Sequence, residues 1–101
     1  MTRTDRISWV EYEALLEAAP ILFLPVGAHE QHGPHLPLDV DYFDAAYLAK
    51  MVAAACREPR PFVLPPIPYG VSYHHSQFKG TLSVTNNALS ALIYDIGMSL
   101  A

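Results

Sequence analysis

With 101 residues the chain has room for one domain at most, and a hydrophobic content of 51% is that of a folded protein rather than a disordered one. A formal net charge of −4, with no block of like charges, argues against nucleic acid or an anionic membrane as the main partner. The single cysteine, Cys56, has no partner for an intrachain disulfide. No signal-peptide apolar region follows Met1–Arg6, and no apolar run approaches the ~18 residues of a membrane span, so a cytoplasmic location is expected.

Ser8-Trp9-Val10-Glu11 has the form of a capping box and predicts a short amphipathic helix over residues 9–18, stopped by Pro20. Ile21-Leu22-Phe23-Leu24-Pro25-Val26 is too short for a helix and apolar throughout, which suits a central parallel strand covered on both faces. Pro25 lacks an N–H and is expected where the pairing gives out, and Gly27 is expected to let the backbone turn sharply. A loop over residues 28–39 follows, stiffened by Gly33-Pro34 and Leu36-Pro37. Phe43, Ala46, Tyr47, Met51, Ala54 and Ala55 then recur at helical spacing, predicting a helix from about Asp41 to Arg57, capped by Asp39 or Asp41. Cys56 reads as a small core residue there, and Trp9, Tyr12 and Tyr47 as core.

Phe62-Val63-Leu64 reads as a second apolar strand, residues 71–80 as a polar loop, and Thr81-Leu82-Ser83-Val84 as a brief strand. Thr85-Asn86-Asn87 caps a last helix with Leu89, Leu92, Ile93, Ile96 and Leu100 on its apolar face. Helices alternating with short apolar strands predict an α/β layered fold. The pattern is still helical at Ala101, so the fold is expected to be incomplete at its C-terminus.

The loop holds the chemistry. Glu30 and His32, two apart, project to one side of an extended segment, and Asp41 lies eleven residues beyond Glu30 at the start of the helix. These are donors for zinc, manganese or similar divalent ions, and a carboxylate at Asp41 can bridge two of them. Two ions roughly 3.5–4 Å apart acidify a water and polarise a carbonyl. By spacing alone a solvated polar loop is the competing reading. His29 is expected to face solvent, His35 to order the Gly33–Pro37 turn, and Asp39 to cap the helix.

Pro25-Val26-Gly27-Ala28-His29-Glu30-Gln31-His32-Gly33-Pro34-His35-Leu36-Pro37-Leu38, followed by Val40-Asp41, resembles the signature of the creatininase family of amidohydrolases. Pro68-Tyr69-Gly70-Val71-Ser72, with His75, Phe78 and Gly80-Thr81-Leu82-Ser83, resembles that family's second motif. The resemblance implies a three-layer α/β/α sandwich with a mostly parallel sheet, of which residues 1–101 would form the N-terminal part of a single domain. It implies hydrolysis of a C–N bond of a cyclic or linear amide by water activated at two divalent ions, whether zinc, manganese or iron. Glu30 would then hold one ion, His32 the other, and Asp41 would bridge them, while Ser72 and His75 would lie at the substrate pocket. A small-molecule amide substrate and a homo-oligomer, a hexamer by family resemblance, complete the expectation. The catalytic proton-transfer group is not identified. His74 stands where an acidic or other polar residue is expected and Lys79 where proline is usual. Family members are more than twice as long, with further ligands downstream. The rival expectation is a truncated, catalytically silent α/β module that oligomerises through the apolar face of its last helix, or binds metal without turnover.

Overall fold

The computed structural model describes residues 3–18 and 21–100. The first helix, α1 (Trp9–Leu16), begins at the predicted capping box: the Ser8 hydroxyl accepts from the Glu11 amide and the Glu11 carboxylate accepts from the Ser8 amide, both at 3.2 Å. The expected stop at Pro20 lies outside the described residues. Two helical turns turn only a narrow stripe inward. Tyr12 stacks against Phe62 at 5.8 Å, whereas Trp9, expected in the core, is 76% exposed.

Strand β1 (Leu22–Phe23), helix α2 (Val40–Ala55) and strand β2 (Phe62–Val63) form a parallel strand–helix–strand unit, with Leu22 opposite Phe62 and Phe23 opposite Val63. Single bridges extend the pairing to Arg3 with Val63 and to Val26 with Ile67. The regular ladder ends before Pro25, as expected, but the Pro25 carbonyl still accepts from the Ile67 amide at 2.9 Å. Among the described residues, Ala53, Phe62, Val63 and Ile67 are buried, with Pro25 and Pro61 beside them, so the core gathers around β2. The expectation that the first strand is covered on both faces is corrected: Ile21 is 53% and Val26 41% exposed. An open groove of about 450 Å³ separates Leu22–Pro25 from Ala45, Leu48, Ala49 and Val52 of α2. The architecture is the α/β class predicted, with a parallel sheet and three helices.

Helix α2 ends two residues earlier than expected. Cys56 is its half-buried C-cap, donating its amide to the Val52 and Ala53 carbonyls, and not a core residue. Asp39 occupies the N-cap position, but its side chain makes no capping hydrogen bond. Tyr47 is exposed and stacks on Phe43 along the outer face. Helix α3 (Asn86–Leu100) starts as predicted, with the Thr85 hydroxyl accepting from the Ala88 amide at 3.0 Å. Its Leu92 and Ile96 line an apolar groove of about 390 Å³ with Leu24 and the 64–69 segment. None of the helices described is long and apolar enough to cross a membrane.

The predicted strand over 81–84 is not a strand. Leu82 bridges His29 and the Val84 amide donates to the Gly70 carbonyl, so successive residues pair with two different loops and no ladder forms. The 71–80 loop contains one tight 3-10 turn, Tyr73–His75.

Gly27 is needed for closeness rather than for a turn, because its φ is not positive. A Cβ there would stand 2.3 Å from the Tyr42 Cα in the first turn of α2, and one on Gly70 would stand 2.5 Å from the Gly27 carbonyl. Three backbone segments therefore meet without side chains between them. Gly27→Ala is expected to destabilise the chain at or above the upper end of the ~1–3 kcal/mol of core overpacking. Urea unfolding would show this as a lowered midpoint with an unchanged slope.

Candidate metal centre

The loop that leaves β1 is closed on itself before it reaches α2. The Gly27 amide donates to the Ile67 carbonyl at 2.9 Å, and the Glu30 amide donates to the Leu38 carbonyl at 3.2 Å. The second bond folds the loop back so that the eleven residues from Glu30 to Asp41 span a short distance. Ligand-type atoms of Glu30, His32 and Asp41 all lie within 4.8 Å of one another, and all three side chains are partly buried. The spacing argument thus selected three side chains that do converge.

The protonation of His32 follows from its partners. Its Nδ1 lies 3.1 Å from the Glu30 backbone carbonyl, which can only accept, so Nδ1 carries the hydrogen. Its Nε2 faces a second acceptor, Asp41 Oδ1, at 3.2 Å, so in the ion-free chain the ring is best satisfied with a hydrogen on both nitrogens, and an ion would take the place of the one on Nε2. A histidine whose far nitrogen donates to a backbone carbonyl while its near nitrogen faces a carboxylate is arranged as metal ligands are.

Charge at the cluster favours an added cation. Burial pushes the Asp41 carboxyl above its ordinary range, and the facing Glu30 carboxyl adds to this against the pull of His32. Donation to the Glu30 carbonyl raises the His32 pKa, burial opposes it, and the Asp41 charge reinforces it. Burial also pushes Glu30 up, but the Ser72 hydroxyl, Asp41, His75 and His74 together bring it below the ordinary glutamate range. The Glu30 side chain is only 12% exposed, and its Oε2 has no hydrogen-bond partner. Ser72 is fully buried; its hydroxyl acts on Glu30 yet closes no hydrogen bond. Two buried oxygens left unpaired at one place are costly unless a cation or water satisfies them. The donor set therefore fits a divalent ion.

The second motif braces this loop. The His29 carbonyl accepts from the Leu82 amide at 2.9 Å, and the Gln31 amide donates to the Thr81 hydroxyl at 3.1 Å. The Ser72 amide donates to the Ser83 hydroxyl at 2.7 Å. His29, expected to face solvent, is partly buried: its ring stacks on Tyr42 and its Nδ1–H donates to the Gly80 carbonyl at 2.9 Å. His35 is exposed, and its ring lies 3.2 Å from where a Gly33 Cβ would be, in keeping with a role in ordering that turn.

Of the expected pocket residues, Ser72 lies beneath Glu30 with no exposed surface, while His75 is half-buried. His74 and His75 join Glu30 in a second group of ligand-type atoms, with His74 Nε2 4.0 Å from Glu30 Oε2. In the sequence Gln31 stands out only as part of the first motif and His74 only as a departure from the second. Adjacent histidines in one loop were the only signal of that second group.

A strand–loop–helix edge carrying a Glu–His–Asp cluster, braced by a second loop, defines an α/β protein with a candidate metal site. The creatininase (creatinine amidohydrolase) family profile matches residues 5–101, and the chain belongs to that family. It is 43% identical over 83 residues to the mycofactocin precursor peptide peptidase of Mycolicibacterium smegmatis, covering 79% of this chain and 34% of that protein. It is 35% identical over 101 residues to the creatinine amidohydrolase of Pseudomonas putida, covering 94% of this chain and 38% of that one. A solved variant creatininase in a zinc–zinc form superposes with a TM-score of 0.83 at 32% identity, and a manganese creatininase with 0.76 at 30%; each match covers 94% of this chain and 38% of the other. The chain thus spans little more than a third of the length of the relatives it matches.

Proposed function

We propose that residues 1–101 form the N-terminal part of a single creatininase-like domain, and that the domain hydrolyses a C–N bond of a small cyclic or linear amide with the help of two divalent ions. The observation that carries this reading is the convergence of Glu30, His32 and Asp41, with His32 Nε2 3.2 Å from Asp41 Oδ1 and its Nδ1 held by the Glu30 carbonyl. Glu30 would serve one ion, His32 the other, and Asp41 both. Zinc and manganese are favoured by the forms of the solved relatives, and iron suits the same donors. Ions held there would supply Lewis-acid chemistry, acidifying a water and polarising an amide carbonyl. The chain's own part is to fix three ligands, to support Glu30 with the buried Ser72, and to present His75 to the substrate. Further ligands and the acid/base group would come from outside these residues. A cytoplasmic homo-oligomer remains part of the proposal.

The test is elemental analysis and turnover of a small cyclic amide, creatinine, and of a short peptide amide after zinc or manganese loading. The 101-residue chain and the open reading frame around it would be assayed side by side. The expected result is ion uptake by both and turnover by the longer protein. Uptake without turnover in either would leave a metal-binding module. No uptake in either would sink the reading.

A further inference from the structure

His32 and His75 flank the same carboxylate, and their hydrogen bonds set their Nδ1 atoms in opposite states. The Gln31 side-chain oxygen accepts from the Gly33 amide at 2.9 Å. A backbone N–H can only donate, so this bond fixes which end of the Gln31 amide is oxygen. The other end, Nε2, is then an NH₂ group, and it lies 2.8 Å from His75 Nδ1. His75 Nδ1 must accept. It therefore carries no hydrogen, and the neutral ring carries it on Nε2. His32 differs at this atom: its Nδ1 carries a hydrogen, donated to the Glu30 carbonyl.

The ring is also held in place. It packs on the His74 ring at 4.0 Å and meets the edge of Phe78 at 6.1 Å, and the Tyr73–His75 turn is closed by the His75 amide on the Ser72 carbonyl at 3.0 Å. Gln31 is fixed in turn, its own amide donating to Thr81. The Gly33–Gln31–His75 relay thus links the two motif loops across 44 residues of sequence.

We propose that Gln31 is a positioning residue that locks His75 in its Nε2–H tautomer, so that His75 serves the site as a hydrogen-bond donor to the carbonyl oxygen of an amide ligand. The identity of that ligand class rests on the hydrolase reading; the lock itself does not. The lock also bears on the two groups of ligand-type atoms around Glu30: while Gln31 occupies Nδ1, His75 has no free lone pair to offer an ion, which favours the Glu30–His32–Asp41 group over the Glu30–His74–His75 group.

The experiment is two-bond ¹H–¹⁵N NMR of the histidine rings in the intact chain, at a pH where the rings are neutral. His75 is expected to show a lone-pair Nδ1 and a hydrogen-bearing Nε2. In Gln31→Glu one carboxylate oxygen still accepts from Gly33 while the other faces Nδ1, so the two His75 nitrogen signals should exchange character. Gln31→Leu should give a mixture. The His32 signals, expected to stay as they are in both variants, report that the loop still folds. A hydrogen on His75 Nδ1 in the unaltered chain, or an unchanged His75 in both variants, overturns the lock. Acetamide is the probe of the donor role: it should shift the His75 Nε2–H resonance, and this shift should be lost in Gln31→Glu. A lock without an acetamide shift overturns that role. Neither arm reads ion uptake or turnover, so a failed hydrolase reading would be recognised separately.

Discussion

Asp41→Ala is expected to weaken zinc or manganese binding by more than ~100-fold while leaving the folded chain within about 1 kcal/mol of its original stability. The two halves of this expectation have separate causes. Losing a group that merely orients a ligand typically costs ~10–100-fold in affinity, and in the proposed function Asp41 is a ligand itself. Its carboxylate is the only one of the three at the start of α2, so neither Glu30 nor His32 can replace it by a change of rotamer. In the ion-free chain, by contrast, Asp41 faces Glu30, and its raised pKa says that its charged form is poorly accommodated. Removing it relieves that pressure, at the loss of the His32 contact and of a favourable carboxylate at a helix N-terminus, worth ~0.3–1 kcal/mol. Isothermal titration with zinc and urea unfolding on the same preparations would check both halves. A variant that unfolds would show that Asp41 is structural. One that binds zinc as before would show that the ions, if any, sit elsewhere.

What the sequence disclosed, and what it withheld, follow from the range of the interactions. The Ser8–Glu11 capping box, the Thr85 cap and the extent of α3 depend on neighbours within four residues and were legible, whereas α2 stops two residues short of its expected end. Glu30, His32 and Asp41 stood out by donor type and by the resemblance of their motif, while spacing alone left a solvated polar loop open. The states of His29 and His75 were not. Each is set by a hydrogen bond to a residue 51 or 44 positions away, and pairing at that distance has no local signal. Burial was misjudged for a different reason. Periodicity identifies the face of a helix that seeks cover, as for Phe43 and Met51 of α2, but it does not say that the cover lies within the same 101 residues; both are at least half exposed. Gly27 was singled out for the wrong property, since close approach between backbones leaves the same residue as a turn does.

The affinity for a divalent ion is expected to climb steeply with pH and then level off, because His32 and Asp41 must both give up protons to bind it. Their pKa values are both raised, His32 by donation to the Glu30 carbonyl and by the Asp41 charge, and Asp41 by burial and by Glu30. An ion competes with each proton, so every proton displaced contributes about tenfold in affinity per pH unit while the group is still protonated. The rise should therefore end only above the ordinary histidine pKa of ~6.5, later than a site built from an unperturbed histidine. Folding in the absence of ions should run the other way for Asp41. A raised folded pKa means that the native state holds its proton more tightly than the unfolded chain does. Its contribution to stability is present below the ordinary aspartate range and is lost as pH rises through the folded value. Glu30, with its pKa lowered, has the opposite sign: its contribution is present above the ordinary glutamate range and is lost as pH falls through the folded value. An ion replaces the protons and cancels the crowding of the two carboxylates, so zinc should stabilise the chain most where the ion-free form is weakest, above neutral pH. Thermal unfolding across pH 5–9 with zinc and with a chelator checks this. Curves that stay a constant distance apart over that range would show that His32 gives up no proton on binding, and would remove it from the ion site.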